Sequence, residues 1–279
     1  MPSQKLIMPV VKWVGGKRQL INTFKPLLPK KISFYCEPFL GGGAMLFYLH
    51  PKKAVVNDIN QDLIQMYEVI RDDVEALIQE LESHPNESSH YYEVRDWDRS
   101  PEEYAERSLV QKAGRLIYLN KTCYNGLFRV NNAGEFNTPF GNYKRPNIVN
   151  APTLRAVSKY FRSSKITFCS GDYSEVLKQL PHGAFVYLDP PYDPVSDTAN
   201  FTGYSKGGFG KEDQIRLREC CDNLDRRGIR FMLSNSSTEF IRKQYEKYQN
   251  ITVVKAKRAI NSNAERRGQI DEVVIRNYE

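Results

Sequence analysis

The sequence predicts an α/β protein: a doubly wound, mostly parallel seven-stranded sheet with an inserted, mainly helical subdomain. Three observations carry that expectation. Seven short β-rich runs recur along the 279 residues, and segments with apolar residues at helical spacing lie between several of them. Residues 59–165 separate the second run from the third, far more than a βα connection needs, so they read as an insertion.

The runs fall at 34–37, 54–58, 166–170, 185–189, 230–234, 251–256 and 272–277. Most are short, apolar and rich in Val, Ile, Phe and Tyr, which suits strands buried on both faces. Helices are expected over 17–28, 45–50, 174–180, 211–227 and 237–248. The loop at 257–270 contains no apolar helix, so the last two strands read as an antiparallel hairpin at one end of the sheet. The insertion is taken as 61–150, leaving 1–60 and 151–279 to build the sheet domain. Its first half is helical by spacing: Leu63, Met66, Tyr67 and Ile70, then Val74, Leu77, Ile78 and Leu81. A polar break at 83–90 follows, then a further helix at about 102–120. The second half, 124–147, changes character, with aromatic and basic residues among Asn-Gly and Ala-Gly turn formers.

Folding at this length buries roughly three-quarters of the extended chain's surface, so a sizeable core needs no disulfides. Cys36, Cys123, Cys169, Cys220 and Cys221 are odd in number and form no C-x-x-C pair. Neither a disulfide framework nor a thiolate zinc site is expected, and a reducing cytosol fits. The first residues lack an apolar signal region, and no apolar run approaches ~18 residues, so neither export nor a membrane span is expected. Four scattered His without an H-E-x-x-H pattern argue against a metal. The net charge of +7, from 40 Lys+Arg against 33 Asp+Glu, points toward a polyanion. Charge alone weighs equally for an ordinary solvated surface.

Glu37-Pro38-Phe39-Leu40-Gly41-Gly42-Gly43 follows the first strand and opens a helix. Glycines there permit positive φ and let a ligand lie against bare backbone. The dinucleotide fingerprint needs another glycine where Leu46 stands, so a pyrophosphate cofactor is disfavoured while a nucleoside ligand fits. Asp58 ends the next strand, seventeen residues after Gly41, where a carboxylate can accept from ribose hydroxyls or cap the following helix. Gly15-Gly16-Lys17-Arg18 imitates a phosphate loop, but Val11 replaces its first glycine and Arg18 its magnesium-binding hydroxyl, so the pattern fits an ATPase poorly.

Asp189-Pro190-Pro191-Tyr192 follows the apolar strand at the carboxyl edge, where open α/β sheets place ligands. The two prolines stiffen the backbone and remove N–H donors, leaving the Pro190 carbonyl outside regular pairing. A carboxylate and a free carbonyl match the two hydrogens of an exocyclic amine on a planar ring, and Tyr192 can stack on that ring. The alternative is a proline-terminated strand with a capping Asp.

On these residues the chain resembles the Dam-type DNA adenine N6-methyltransferases, which use S-adenosylmethionine and modify the adenine of GATC. The resemblance spans nearly the whole chain. Besides the glycine turn and the Asp-Pro-Pro-Tyr run, it rests on Lys12-Trp13-Val14-Gly15-Gly16-Lys17, Asn57-Asp58-Ile59-Asn60 and Leu233-Ser234-Asn235. Two segments of the insertion, Tyr124-Asn125-Gly126-Leu127-Phe128-Arg129 and Phe136-Asn137-Thr138-Pro139-Phe140-Gly141-Asn142-Tyr143, are the specific ones.

The resemblance implies a Rossmann-like methyltransferase fold and a DNA-recognition insertion. Trp13, Lys17, Phe39, Gly41, Gly43 and Asp58 would line the cofactor site, with Asp172 and Tyr173 near its adenine. Asp189 would serve cofactor and target base, acting with Pro190 and Tyr192 in catalysis. Lys12 would reach the outer guanine, Arg129 a guanine edge, and Leu127 and Pro139 a thymine methyl. Asn125 would bond near the target step, Tyr124 would fill the gap left by the displaced adenine, and Tyr143, with Lys144 and Arg145, would meet phosphates. Asn142 departs from the basic residue that relatives often carry there. The expected partner is double-stranded DNA containing GATC, bound by a monomer or weak dimer, in the cytoplasm and on the nucleoid through DNA. The expected reaction is direct methyl transfer to a flipped adenine, without a metal. An RNA adenine methyltransferase, an inactive DNA-binding relative and a protein-amide methyltransferase are the competing readings.

Overall fold

The computed structural model describes residues 5–195, 208–257 and 269–279. Seven strands form one sheet: β1 (Tyr35–Glu37), β2 (Lys53–Asp58), β3 (Lys165–Ser170), β4 (Phe185–Leu188), β5 (Arg230–Ser236), β6 (Asn250–Lys257) and β7 (Gln269–Arg276). Their order is β3-β2-β1-β4-β5-β7-β6, with the first five parallel and β7 antiparallel to both β5 and β6. The chain winds outward from β1 through β2 to β3, then returns to β4 on the other side of β1. The switch point where ligands bind in such sheets therefore lies beyond the carboxyl ends of β1 and β4.

Successive strand residues enter opposite cores. Tyr35, Phe185, Tyr187, Met232 and Val274 join one apolar cluster, while Cys36, Val186, Leu188, Phe231, Leu233, Val273 and Ile275 join the other. Period-two alternation with both faces buried is why these strands read as continuous apolar runs. The first face is covered by α2 (Ala44–Leu49), α3 (Gln61–Asp72) and α8 (Ala151–Ser163), with α4 (Val74–Glu82) and α7 (Leu109–Thr122) packed on α3, and the buried apolar side chains of all five belong to the first cluster. The second is covered by α9 (Tyr173–Lys178), α10 (Lys211–Arg226) and α11 (Glu239–Gln244). Leu63, Leu77 and Tyr118 belong to one continuous core with Tyr35 and Phe185, so the helices after β2 share the sheet domain's apolar interior.

Several helices differ from the sequence expectation. The segment expected as one helix over 17–28 is a 3-10 turn (Lys17–Leu20), a single α turn, α1 (Ile21–Phe24), and another 3-10 turn (Lys25–Leu27). Pro26 offers no N–H to continue the α ladder. The helix expected at 102–120 is two, α6 (Pro101–Glu106) and α7, because Ser108 and Gln111 form a reciprocal capping box that starts the second afresh. Helix α5 (Ser88–Arg95) and a 3-10 turn (Asp96–Arg99) precede them. Helix α8 has no counterpart in the sequence expectation. It starts at the Asn150 cap and turns Leu154, Val157 and Phe161 inward. The helix expected at 237–248 is shortened to α11, capped by Thr238. The antiparallel final pair is present, while Arg258, Glu265, Arg266 and Arg267 of its loop lie outside the described residues. No helix among the described residues is long and apolar enough to cross a membrane.

Glu37 ends β1 fully inside the protein, where its Oε2 accepts from the Tyr35 hydroxyl (2.8 Å) and the Leu46 amide (3.1 Å). Burial pushes its carboxyl well above the usual carboxylate range, with the neighbouring Asp189 and Asp58 acting in the same direction against the Tyr35 and Leu46 bonds. The neutral acid is the form the fold favours. Its contribution to stability is therefore complete below the ordinary carboxylate range and declines as pH rises toward the folded-state value. Glu37→Ala strands two buried donors and is expected to cost about 2–4 kcal/mol in denaturant unfolding. Glu37→Gln keeps an acceptor, should stay within about 1 kcal/mol of wild type, and should lose less stability than wild type as pH rises above the ordinary carboxylate range.

Candidate active site

The end of β4 places Asp189 at the switch point. Its Oδ1 is 3.0 Å from Lys17 Nζ and accepts from the Ser234 hydroxyl at 3.0 Å. Burial raises its pKa, opposed first by the Lys17 charge and then by hydrogen bonds. Lys17 also donates to the Gly15 carbonyl (2.7 Å) and sits 4.4 Å from the centre of the Tyr192 ring. The Tyr192 hydroxyl donates to Glu272 Oε2 at 2.8 Å, so the ring is fixed at both its face and its tip.

The two prolines are treated differently. Gln214, only 1% exposed, donates to the Pro191 carbonyl (2.8 Å) and accepts from Asn235, whose own oxygen receives the Asp193 amide (3.1 Å). Ser236 and Thr238 complete the grip on Asp193. Among the described residues no donor reaches the Pro190 carbonyl, so the acceptor expected from the sequence stays available.

The glycine turn is built around Asp58. Its two oxygens accept from the amides of Gly41 (2.8 Å) and Asn60 (2.9 Å), and burial raises its pKa against those bonds. The cap of α3 is Asn60, whose side chain accepts from Leu63. That frees Asp58 from the capping role the sequence also allowed. Gly41 and Gly43 have φ of +49° and +68°, and a Cβ on Gly41 would lie 2.7 Å from Cδ1 of Trp13. The same indole stacks on Phe128 of the insertion, with ring centres 4.9 Å apart. Phe39 packs on Tyr173 at 5.0 Å. The Tyr173 hydroxyl is buried and has no hydrogen-bond partner among the described residues. Asp172 caps α9 and pairs with Arg216.

Apart from Lys12, the residues expected on DNA lie in or beside a loop region braced by two isolated bridges, Cys123 with Phe140 and Val130 with Phe136. Tyr124 is 57% exposed, and its amide donates to the Pro139 carbonyl. Asn125 and Gly126 both have positive φ, and Lys12 runs so close over Gly126 that a Cβ there would meet its Cδ at 2.6 Å. Asn120 binds both backbone groups of Lys12, and the Lys12 ammonium lies 5.9 Å from the Tyr143 ring centre. Leu127 is half-buried, with its carbonyl held by the Thr138 hydroxyl, while Asn125, Pro139, Lys144 and Arg145 are exposed. Arg129 donates through Nε to Asn137 Oδ1 (2.7 Å) and through Nη2 to the Asn137 carbonyl.

The fold thus joins Lys17, Asp189 and Tyr192 in one cluster, and Trp13, Gly41 and Asp58 in another. Phe39 with Tyr173, Lys12 with Tyr143, and Tyr124 with Pro139 are adjoining pairs. Asp172 faces Arg216 on α10. The sequence assigns no role to Glu272 or Gln214, nor to Asn137 and Ser234 within the motifs that contain them. Nor does it assign one to Ile59, which is 60% exposed next to Asp58. An apolar residue between a strand-end acid and a helix cap is the signal that could have found it.

A sheet in this order, with a glycine turn after β1, an acid ending β2 and Asp-Pro-Pro-Tyr ending β4, defines an α/β amino-methyltransferase. The chain belongs to the D12-class N6 adenine-specific DNA methyltransferase family, whose profile matches residues 13–260. It is 43% identical over 293 residues to the type II methyltransferase M.MjaIII of Methanocaldococcus jannaschii, with 98% of this chain and 99% of that protein covered. It is 41% identical over 274 residues to the type II methyltransferase M1.LlaDCHI of Lactococcus lactis subsp. cremoris, covering 98% and 96%. The DNA adenine methylase of Escherichia coli K12 is 33% identical over 268 residues, covering 95% and 93%. The enzyme is an adenine-specific DNA methyltransferase, and the RNA and protein-amide readings fall away.

Gly41→Ala forces an L side chain into positive φ against the Trp13 indole. It is expected to cost about 1–3 kcal/mol, read by tryptophan fluorescence in denaturant. An unchanged midpoint would show that the indole gives way freely.

Proposed function

We propose that the enzyme methylates N6 of adenine in double-stranded DNA within GATC, using S-adenosylmethionine, by flipping the base out of the helix and transferring the methyl group directly. The observation that carries this reading is the pairing, at the end of β4, of the Asp189 carboxylate with an unengaged Pro190 carbonyl.

The residues present fit the cofactor. Asp58 keeps lone pairs beyond its two amide bonds, exposed Ile59 offers an apolar cover for a planar base, and the positive φ of Gly41 and Gly43 shapes the turn that holds the Gly41 amide on Asp58. Trp13, Lys17, Phe39, Gly41, Gly43, Asp58 and Asp189 would hold it, with Asp172 and Tyr173 toward the adenine end. S-adenosylmethionine supplies an electrophilic methyl group on a sulfonium sulfur.

The chain's own residues do the rest. Flipping an adenine costs a few kcal/mol of stacking and pairing. Stacking on Tyr192, whose ring is held by Glu272 and Lys17, offsets roughly 1–3 kcal/mol of it. The N6 lone pair is delocalised into the ring. Hydrogen bonds from its two hydrogens to Asp189 and the Pro190 carbonyl localise it for in-line attack, and fixed positioning makes the step effectively intramolecular. Asp189 is also the carboxylate at hand for the proton that N6 releases. No covalent enzyme intermediate and no metal enter.

In this reading residues 61–150 are the target-recognition subdomain. Arg129 reads a guanine edge, a bidentate contact worth ~1–3 kcal/mol of discrimination. Lys12 reaches the outer guanine, Leu127 and Pro139 meet a thymine methyl, and Asn125 bonds near the target step. Tyr124 fills the vacated stack, and Tyr143 meets a phosphate. The enzyme works as a monomer or weak dimer on cytoplasmic DNA.

Labelled methyl transfer to a GATC duplex should far exceed transfer to a duplex with the outer G·C pair changed, and equal labelling of the two would refute the site assignment. Asp189→Ala should lower the transfer rate by at least about a thousandfold while retaining most DNA affinity, because phosphate contacts dominate binding. A nearly wild-type rate would sink the role given to that carboxylate.

A further inference from the structure

We propose that Asp98, Arg99 and Asn137 are positioning residues for base reading: together they fix the guanidinium of Arg129. The inference rests on the reading role given to Arg129 above.

The grip begins in the helical half of the insertion. Arg115 on α7 is 5% exposed, donates from Nε to the Val94 carbonyl (2.9 Å) and reaches Asp98 Oδ2 at 2.7 Å. The same Asp98 oxygen accepts the Phe136 amide at 2.8 Å. The adjacent Arg99 donates from Nη2 to the Phe136 carbonyl, also at 2.8 Å, and from Nη1 reaches Glu135 Oε2 at 2.9 Å. Two consecutive residues of one 3-10 turn therefore hold both polar groups of residue 136. The Phe136 ring is buried against Phe128, which anchors the same point on its apolar side. Asn131 closes the far end, accepting from the Ala133 and Glu135 amides and donating to Glu135 Oε2.

Asn137 passes that position to Arg129. Its amide donates to the Arg129 carbonyl (3.0 Å), while its side-chain oxygen takes Arg129 Nε. Among the described residues Arg129 has no carboxylate partner, in contrast to Arg99 and Arg115. A neutral acceptor aims the guanidinium without neutralising it. That is what a group awaiting a guanine edge needs, since bidentate readout tolerates only small errors of placement.

The test measures kcat/KM for Arg99→Ala and Asn137→Ala on a GATC duplex and on duplexes with each G·C pair changed in turn. Arg129→Ala and the core variant Leu81→Ala, in α4, serve as references, with melting temperature recorded for all. Arg129→Ala should lose discrimination at one G·C pair. Arg99→Ala and Asn137→Ala should lose roughly five- to tenfold of it at that same pair, with Arg99→Lys partly restored. Leu81→Ala should lose stability with its discrimination ratio intact. An unchanged ratio in both positioning variants, or an equal loss in Leu81→Ala, overturns the inference while leaving the reading role intact. Full discrimination in Arg129→Ala instead overturns the reading role itself.

Discussion

The indole of Trp13, lying on the bare backbone of Gly41 and Gly42 and stacked against Phe128, is the contact on which the arrangement of the site depends. It ties three segments that are distant in sequence: the N-terminal stretch, the turn after β1 and the loop region around Phe128. Glycine at 41 is required from both sides, by its positive φ and by the approach of the ring. Once Trp13 is placed, its neighbours diverge. Lys12 runs over Gly126 toward Tyr143, and Lys17 reaches Asp189 and Tyr192. A stretch of six residues thus reaches both the loop region of Gly126 and Tyr143 and the Asp-Pro-Pro-Tyr run.

The carboxyl edge of the sheet gathers three acids, the buried Glu37 and Asp58 and the partly exposed Asp189, each ending or following a strand. Crowding like charges in low dielectric is unfavourable, and the fold resolves each case differently. Glu37 is met by a hydroxyl and an amide and favours its proton, Asp58 is satisfied by two backbone amides, and Asp189 alone receives a full positive charge. The acid with the cation is the one beside the free Pro190 carbonyl.

The fold class is legible in the sequence because strands buried on both faces leave unbroken apolar runs, and the glycine turn and Asp-Pro-Pro-Tyr are local in the chain. Helix limits are less so. The apolar spacing over 102–120 continues through Ser108, and only the Ser-x-x-Gln cap divides it. Helix α8 is obscured by its opening Asn150 and Pro152, which read as the end of a turn. Strand order leaves no local trace. The residues that support the site are hidden for the same reason: Glu272 stands eighty positions from Tyr192 and Gln214 twenty-three from Pro191, and each becomes a partner only when the sheet brings its strand or helix alongside. Asn137 resembles any turn asparagine until the bridge between Val130 and Phe136 sets it beside Arg129.

The place of β7 has a consequence for the order in which the enzyme can come to life. It is the last of the seven strands along the chain, yet it lies between β5 and β6 and runs against both. Until it is synthesised and inserted, β6 has no neighbour in the sheet, the edge of β5 is bare, and Tyr192 lacks the glutamate that holds its hydroxyl. A growing chain can assemble the glycine turn, Asp58 and Asp189 well before that moment. The bond from Tyr192 to Glu272 is completed only at the end, so a fragment that stops short of β7 carries the acid and the carbonyl without the fixed ring beside them.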